Sequence, residues 1–240
     1  MLDLFKHPRN LMLVFIILAM QLFISHSRIG EPFLDGRLHY YFDNAKFLTH
    51  ALHSNDSTFS APGKLLGVAE YTYSKSGKVT GVDYYANHPL LSPVLFKWFT
   101  MVCGYSDWVP RVFSLIISMG VSVLIFALLV TATKSIYASW FLTLLYALNP
   151  VNVVYQDVWK YFHLTELIVL ACIYCFAHLK FHKVYRYGLW GFFFLSFHTD
   201  WPAYIAAGAL LLFIWVKRKV PEYKRLPLEL VGIASISIAI

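Results

Sequence analysis

Charged residues are scarce in this chain of 240 residues. They make up 14% of the sequence, whereas an average soluble domain contains roughly 25%. Hydrophobic residues make up 58% and aromatic residues 18%. This balance excludes an ordinary soluble globular domain and predicts an integral membrane protein with an all-α, polytopic fold.

Cysteine is scarce as well. Three cysteines cannot form a disulfide framework, and we interpret the CxxC pair, Cys172 and Cys175, as small packing residues within a helix. His50 and His53 have a spacing that suits metal binding, but the sequence offers no evident third ligand. Internal repeats are also absent. The sequence therefore predicts neither a metal site nor a cofactor.

Long apolar segments are what the sequence does contain. The first runs from Leu11 to Ser25 and lacks a small-residue cleavage site, so we interpret it as a retained transmembrane helix rather than a signal peptide. The apolar run 188–216 is too long for one span of about twenty residues, and HTDWP (198–202) interrupts it with a charge and a proline. That interruption predicts a tight reversal. The remaining predicted spans are 109–131, 136–154, 164–180, 187–200 and 201–216, with a seventh beginning near residue 227.

Basic residues lie beside alternate ends of these spans, and they predict the orientation. One set of ends carries eleven of them, whereas the two short opposite loops contain only Lys160. By the positive-inside rule the basic face is cytosolic, and so is the N-terminus. The net charge of +7 then reflects topology, and a nucleic-acid partner is not predicted. We expect a multi-pass protein of a bacterial or archaeal cytoplasmic membrane.

The same alternation predicts three regions. Residues 1–27 hold the N-terminus and first helix, 28–108 form one long extracytosolic loop, and 109–240 hold helices two to six and the start of the seventh. Within the loop, helical spacing over 38–52 predicts an interfacial helix. The turn SKSG (74–77) predicts a β-hairpin, and the stretch HPLLSPVLFKWFTMVCG predicts a second interfacial helix. Because the sequence stops inside the apolar segment LELVGIASISIAI, we expect an amino-terminal portion of a longer protein.

Ionisable residues gather where the long loop leaves the membrane, in EPFLDGRLHYYFDNAKF (31–47). An enzyme that uses a lipid-linked donor must work at the membrane surface, because the donor phosphate stays in the headgroup region. A carboxylate there can remove a proton from an acceptor hydroxyl, and basic or hydrogen-bonding groups can stabilise the departing phosphate. Asp35 and Asp43 are candidates for the first role; candidates for the second are Arg37, His39, Lys46 and His88.

Structural alternatives remain open for both aspartates. Asp35 precedes GRLHYYF, where a helix is predicted to begin, so it can also serve as an N-cap. Asp43 lies three residues before Lys46 and can form an ion pair on a helix surface. Each of these roles needs no substrate.

Two short loops on the same face add further candidates. They are VYQDVWKYFH (154–163) and FHTDW (197–201). Glu166 differs from these because it falls about one turn inside the fourth predicted span, where ionisable groups usually face a cavity or a partner. The candidate substrate-binding residues from these segments are Lys160, His163, Glu166, His198 and Asp200.

The order of these features resembles the GT-C superfamily of membrane glycosyltransferases, in particular the branch with protein O-mannosyltransferases and lipid A aminoarabinose transferases. Asp35 occupies the place of the aspartate that is the proposed base in that family, and Gly36 stands where a second acid is common. NHPLLSPVLFKWFTMVCGYSDWVPRVFSLI is similar to the family's His-Pro-Pro stretch and second span. His88, Pro89, Trp108 and Arg111 match, whereas Leu90 departs from the pattern. HTDWPAYIAAGALLL looks like the family's reversal between spans five and six.

The resemblance implies a glycosyltransferase with a GT-C-like helix bundle. It would move a sugar from a polyprenyl-phosphate donor to an acceptor hydroxyl outside the cytosol, with inversion and with Asp35 as the general base. Asp43, His88 and Arg111 join the residues of the short loops as candidate substrate contacts. The acceptor is not identified, and some donor contacts would lie outside these 240 residues. A transporter or flippase and a non-catalytic assembly protein remain the alternatives.

Overall fold

The structure, a computed structural model, describes residues 7–29, 69–73, 79–84, 91–104, 108–156, 161–217, 220 and 223–239. In chain order the elements are α1 (Pro8–Ile29), β1 (Ala69–Tyr73), β2 (Val79–Tyr84), α2 (Leu91–Cys103), α3 (Trp108–Thr133), α4 (Ile136–Ala147), α5 (Pro150–Tyr155), α6 (Tyr161–Ala177), α7 (Lys183–Ser196), α8 (Trp201–Val216) and α9 (Leu226–Ala239). Helices account for most of the described residues, as the composition predicted. Asp35, Asp43, His88, Lys160 and the interfacial helix predicted at 38–52 lie outside them.

Two helices among the described residues are long and apolar enough to cross a membrane. These are α1, with 22 residues, and α3, with 26. The other apolar helices are 10 to 17 residues long by the same measure, fewer than the roughly twenty that a straight span needs. The sequence predicted a span in each of α6, α7 and α8, and that polytopic topology stays a prediction.

The span predicted at 136–154 is wrong as a single helix. α4 ends at Ala147, and α5 begins at Pro150. Asn149 caps α5 by accepting a hydrogen bond from the Val151 amide at 2.9 Å, and Pro150 has no amide hydrogen to continue the α4 ladder. Cap and proline together explain the break, which hydropathy alone does not detect.

The reversal predicted at HTDWP is confirmed. α7 ends at Ser196, and α8 begins at Trp201. Asp200 is the N-cap, and its carboxylate accepts a hydrogen bond from the Trp201 amide at 2.8 Å. Pro202 lies in the first turn of α8, where a missing amide hydrogen costs nothing.

The region before α3 contains the other predicted elements that the structure describes. α2 confirms a helix in the stretch that starts at residue 88, and it ends before Gly104, whose φ of +81° suits the residue that follows a helix. β1 and β2 pair antiparallel, with Tyr71 opposite Val82. The turn predicted at SKSG lies outside the described residues, so the hairpin as a whole stays a prediction.

Hydrogen bonds between helices fix their directions in the bundle. α1 runs antiparallel to α3: Gln21, late in α1, donates to Ser118 in the first half of α3 at 3.5 Å, whereas Leu13, early in α1, contacts α4 just beyond the end of α3. The indole of Trp140 donates to the Leu13 carbonyl at 3.1 Å, which pairs the starts of α1 and α4. α3 and α6 run side by side in the same direction, and Thr131 and His178 approach to 3.4 Å where both helices end.

The largest described core cluster joins α6, α7, α8 and α9. Its most buried large side chains are Leu189, Phe193, Ile214, Leu226 and Leu230. α9 is also held to α7 by polar contacts, since Glu229 accepts hydrogen bonds from both Arg186 and the Trp190 indole. Apolar packing and the Arg186–Glu229 ion pair together hold α9 against α7.

Candidate functional site

The helix directions bring several predicted site residues to one end of the bundle. We call it the polar end and define it by the end of α1, the start of α3, the end of α5, the start of α6 and the α7–α8 turn. Arg28 near the end of α1 donates to the Val153 carbonyl of α5 at 2.5 Å. The Leu91 amide at the start of α2 donates to the His198 carbonyl at 2.8 Å. Both contacts join separate segments at this end.

Glu166 lies at the centre of a polar cluster between α4, α5 and α6. One carboxylate oxygen, Oε1, accepts a hydrogen bond from the Tyr146 hydroxyl at 2.8 Å. The other, Oε2, lies 4.0 Å from Nδ1 of His163. Nε2 of His163 lies 2.8 Å from the Tyr155 carbonyl oxygen. We call these four residues the Glu166 cluster.

The hydrogen bonds of the Glu166 cluster fix its proton positions. A carbonyl oxygen only accepts, so Nε2 of His163 carries a hydrogen. In the neutral imidazole Nδ1 then holds a lone pair that faces Glu166. The 4.0 Å between Nδ1 and Oε2 is too long for a hydrogen bond, so the two side chains are neighbours without a direct hydrogen bond between these atoms.

Exposure shows which member of the pair can reach a ligand. The His163 side chain is 4% exposed, whereas that of Glu166 is 35% exposed. Glu166 is thus the group that can contact a hydroxyl-bearing ligand, and His163 supports it from inside the bundle. The sequence predicted that Glu166 faces a cavity or a partner, and the structure gives it partners: Tyr146 and His163.

Arg111 brings a positive charge to the polar end. It lies in the first turn of α3 and is only 6% exposed. A charge held this far inside needs compensating groups, and Arg111 makes such an interaction within the protein. The contact of Arg111 with a donor phosphate stays a prediction.

The α7–α8 turn contributes two further candidates with different roles. Asp200 uses one carboxylate oxygen to cap α8, so its first role is structural. His198 stacks beside Phe194 with ring centroids 4.8 Å apart, and its Nε2 is buried without a hydrogen-bond partner among the described residues. Burial lowers the pKa of His198 from its ordinary value of 6.5, because the apolar surroundings disfavour the charged form.

The structure reveals polar residues that sequence reasoning missed. Tyr146 contacts Glu166 across 20 positions of sequence, and Arg28 reaches α5 across more than 120. Gln156 is fully buried, and neither of its amide atoms has a partner among the described residues. No local pattern marks these residues, since each becomes significant only when helices pack.

Metal binding was the remaining question for the described residues of the polar end. Among the described residues, no group of three or more His, Cys, Asp or Glu side chains is placed to hold a metal ion. Asp35, Asp43, His88 and Lys160 lie outside the described residues. The described part of the site is therefore the Glu166 cluster with Arg111, His198 and Asp200.

Comparison with known protein families, with curated proteins and with solved structures finds no match for this chain. The GT-C resemblance thus rests on the order of the sequence features alone.

Proposed function

We propose that this chain is the membrane region of a glycosyltransferase of the GT-C type. It moves a sugar from a polyprenyl-phosphate donor to an acceptor hydroxyl on the extracytosolic side, with inversion at the anomeric carbon. Asp35 acts as the general base that removes the acceptor proton. The donor phosphate leaves, and basic groups at the polar end stabilise its charge.

One observation carries the proposal: predicted site residues from three separate segments share the polar end. Arg111 comes from α3, His163 and Glu166 come from α6, and His198 comes from the α7–α8 turn. Asp35 follows the last residue of α1 by six positions, and six residues span at most about 20 Å. The connection therefore allows Asp35 to reach the same end.

Exposed apolar side chains support a membrane setting. Phe23 on α1 is 82% exposed and Ile205 on α8 is 78% exposed, and further large apolar residues lie beside them on both helices. A soluble monomer rarely exposes such continuous apolar faces, whereas hydrocarbon chains cover them at no cost. We therefore place these helices in the lipid bilayer, as a multi-pass protein with a cytosolic N-terminus.

The candidate site residues have separate roles in this proposal. Arg111 and His88 bind the donor phosphate, and Lys160 and His198 lie near the phosphate or sugar. Glu166, supported by His163, accepts hydrogen bonds from sugar hydroxyls. Asp43 and Asp200 are further candidate contacts to the substrate. Tyr146 holds the Glu166 carboxylate in one orientation and so acts as a positioning residue.

The test replaces Asp35 in the full-length protein and measures sugar transfer from a polyprenyl-phosphate donor. Asp35→Asn keeps the shape but cannot accept the proton, so we expect turnover to fall by about 10²-fold or more. Asp83→Asn is the matched control, because it removes another carboxylate from the same loop region. We expect the control to keep normal turnover.

Near-normal turnover of Asp35→Asn at unchanged expression would remove Asp35 from the mechanism. If the unaltered protein changes no lipid-linked sugar at all, while it moves a lipid or solute across the membrane, the transporter alternative replaces the proposal.

A further inference from the structure

Buried polar side chains follow the contact between α1 and α3, the two helices that are long and apolar enough to cross a membrane. On α3, Ser114, Ser118 and Ser122 are spaced four residues apart and so share one face of the helix. They are 2%, 4% and 1% exposed. On α1, Gln21 and Ser25 have the same spacing and are 1% and 0% exposed. We call these side chains the polar stripe.

The contact between Gln21 and Ser118 sets the register of the polar stripe. Nε2 of Gln21 donates to Oγ of Ser118 at 3.5 Å. Because the two helices are antiparallel, Ser25 and Ser114 both lie one turn nearer the polar end than this contact, at the same level. Ser122 lies one turn further from the polar end. The stripe therefore has hydrogen-bonding groups at successive levels.

Several atoms of the polar stripe have no hydrogen-bond partner in the described part of the chain. They are the hydroxyl oxygens of Ser25, Ser114 and Ser122 and Oε1 of Gln21. Ser25 and Ser114 therefore do not bond to each other, although they lie at one level. A buried polar group without a partner costs free energy, so these atoms call for a ligand that can form hydrogen bonds.

Hydroxyl groups elsewhere in the helices are satisfied by their own backbone. Thr131 in α3 donates to the carbonyl four residues before it at 2.9 Å, and Thr143 in α4 does the same at 2.7 Å. This bond is a common solution for a hydroxyl inside an apolar helix. The hydroxyls of Ser25, Ser114 and Ser122 do not form it, so they remain available to another partner.

Water fits the chemistry of the polar stripe better than an ion does. Hydroxyl and amide groups are neutral, and each can both donate and accept hydrogen bonds. A buried water makes about three hydrogen bonds. A water between Ser25 and Ser114 meets two hydroxyls and a second water, and that second water can reach Oε1 of Gln21.

The polar stripe begins at the polar end and stops inside the bundle. Arg111 precedes Ser114 by three residues, and α3 rises by about 16 Å between Arg111 and Ser122. That rise is roughly half of the 30 Å hydrocarbon thickness of a bilayer. Phe126, one turn beyond Ser122 on the same face, is fully buried, and Leu13 of α1 is buried at the same level. Apolar side chains therefore close the stripe at its inner end.

We propose that the contact between α1 and α3 binds a column of water molecules along the polar stripe. The waters bridge Ser25 to Ser114 and continue past Gln21 to Ser122. The column hydrates the bundle beneath the polar end without crossing it, because Phe126 and Leu13 block the way. The proposal uses α1 and α3 alone and does not depend on the proposed function.

The test is X-ray hydroxyl-radical footprinting of the full-length protein in nanodiscs. The radicals form from water and react next to where they form, and a cysteine sulfur is readily oxidised. Ser114→Cys and Ser122→Cys therefore report on water in the stripe with little change of shape. Both are made after Cys103, Cys172 and Cys175 are replaced by alanine, and mass spectrometry measures the oxidation.

Ala127→Cys is the matched control. Ala127 also lies in α3 and is 2% exposed, but it packs in an apolar cluster with Ala171 and Tyr174 of α6. We expect Ser114→Cys and Ser122→Cys to be oxidised about tenfold faster than Ala127→Cys, since bound water is the source of the radicals. If Ser114→Cys does not fold, Ser25→Cys reports on the same level from α1.

A second comparison removes the groups that hold the water. Gln21→Leu combined with Ser25→Ala makes the α1 side of the stripe apolar, so oxidation of Ser114→Cys should fall to the level of Ala127→Cys. Ser27→Ala removes an exposed hydroxyl from the same helix and should leave the oxidation unchanged.

Two results would overturn the proposal. Oxidation of Ser114→Cys and Ser122→Cys as slow as that of Ala127→Cys would show that the stripe is dry. Unchanged oxidation of Ser114→Cys in the Gln21→Leu and Ser25→Ala background would show that the polar stripe does not hold the water. Sugar transfer by the unaltered protein is unaffected by either result, so the proposed function is tested separately.

Discussion

The Tyr146 hydroxyl donates a hydrogen bond to one carboxylate oxygen of Glu166 and holds it in place. Tyr146→Phe removes the hydrogen bond but keeps the ring. Because Glu166 is partly exposed, water replaces the lost donor, and we expect the free energy of unfolding to fall by only about 1 kcal/mol. Denaturant unfolding in detergent micelles measures the change.

Tyr187→Phe is the control for this prediction. Tyr187 is exposed and contacts the Trp190 ring, so loss of its hydroxyl should change the free energy of unfolding by less than about 0.5 kcal/mol. Equal effects of the two variants would show that the Tyr146 contact does not stabilise the fold.

His198 gives the fold a pH dependence with a definite sign. Burial lowers its folded-state pKa below 6.5, so the unfolded state binds the proton first as the pH falls. The stabilisation is complete above the unfolded pKa and is lost as the pH drops towards the folded pKa. His198→Gln cannot be protonated and should lose this part of the pH dependence.

The measurement compares thermal unfolding of the wild type and His198→Gln at about pH 8 and pH 5. The wild type should lose more stability than the variant between these values. Other histidines are common to both proteins, so they cancel in the comparison. Identical shifts in the two proteins would contradict the predicted protonation penalty.

Between elements, the contact of α6 and α7 depends on a glycine. A Cβ added at Gly188 would lie 2.9 Å from the Sγ atom of Cys175, closer than real contacts allow. We expect Gly188→Ala to lower the free energy of unfolding by about 1–3 kcal/mol, because the two helices must separate or the thiol must rotate. Gly191→Ala is the control, since nothing lies within 4 Å of its added Cβ.

A second substitution distinguishes this clash from a general loss of helix packing. Cys175→Ala removes the Sγ atom, so Gly188→Ala should cost much less in that background. The coupling energy of the double-mutant cycle should be about 0.5–3 kcal/mol. Additive effects would show that Cys175 is not what the new methyl group meets.

The sequence predicted the ends of helices well where an apolar run has clear ends. It predicted them poorly where a capping residue ends one helix and starts the next. The predicted span 109–131 agrees with α3, and the break at HTDWP agrees with the end of α7 and the start of α8. The segment 136–154 was predicted as one helix, although Asn149 and Pro150 divide it. Hydropathy averages over such a short break, whereas capping chemistry depends on individual residues.

The site could be predicted only in part, because some of its contacts depend on how all the helices pack together. The alternation of the predicted spans placed His163, Glu166 and His198 on the extracytosolic side or just inside it, and that placement stays a prediction. The hydrogen bond from Tyr146 and the contact of Arg28 with α5 depend on which helices become neighbours. Which helices become neighbours depends on all the packing contacts together, and no short sequence pattern indicates it.

The orientation of the whole bundle in the membrane gives the last prediction. If the polar end is extracytosolic, a cysteine beside Asp35 must react from outside the cell, and one at the opposite end must not. The pair is Gly36→Cys and Phe181→Cys, the latter in the exposed turn between α6 and α7. Both are made after Cys103, Cys172 and Cys175 are replaced by alanine.

A membrane-impermeant maleimide should label Gly36→Cys in intact cells and Phe181→Cys only after permeabilisation. Labelling of Phe181→Cys in permeabilised cells also shows that this protein is present. The reverse pattern would put Asp35 in the cytosol, where the basic residues of the α6–α7 and α8–α9 connections are predicted to lie. Sugar transfer outside the cytosol would then be impossible, because the proposed base and the acceptor would occupy opposite sides of the membrane.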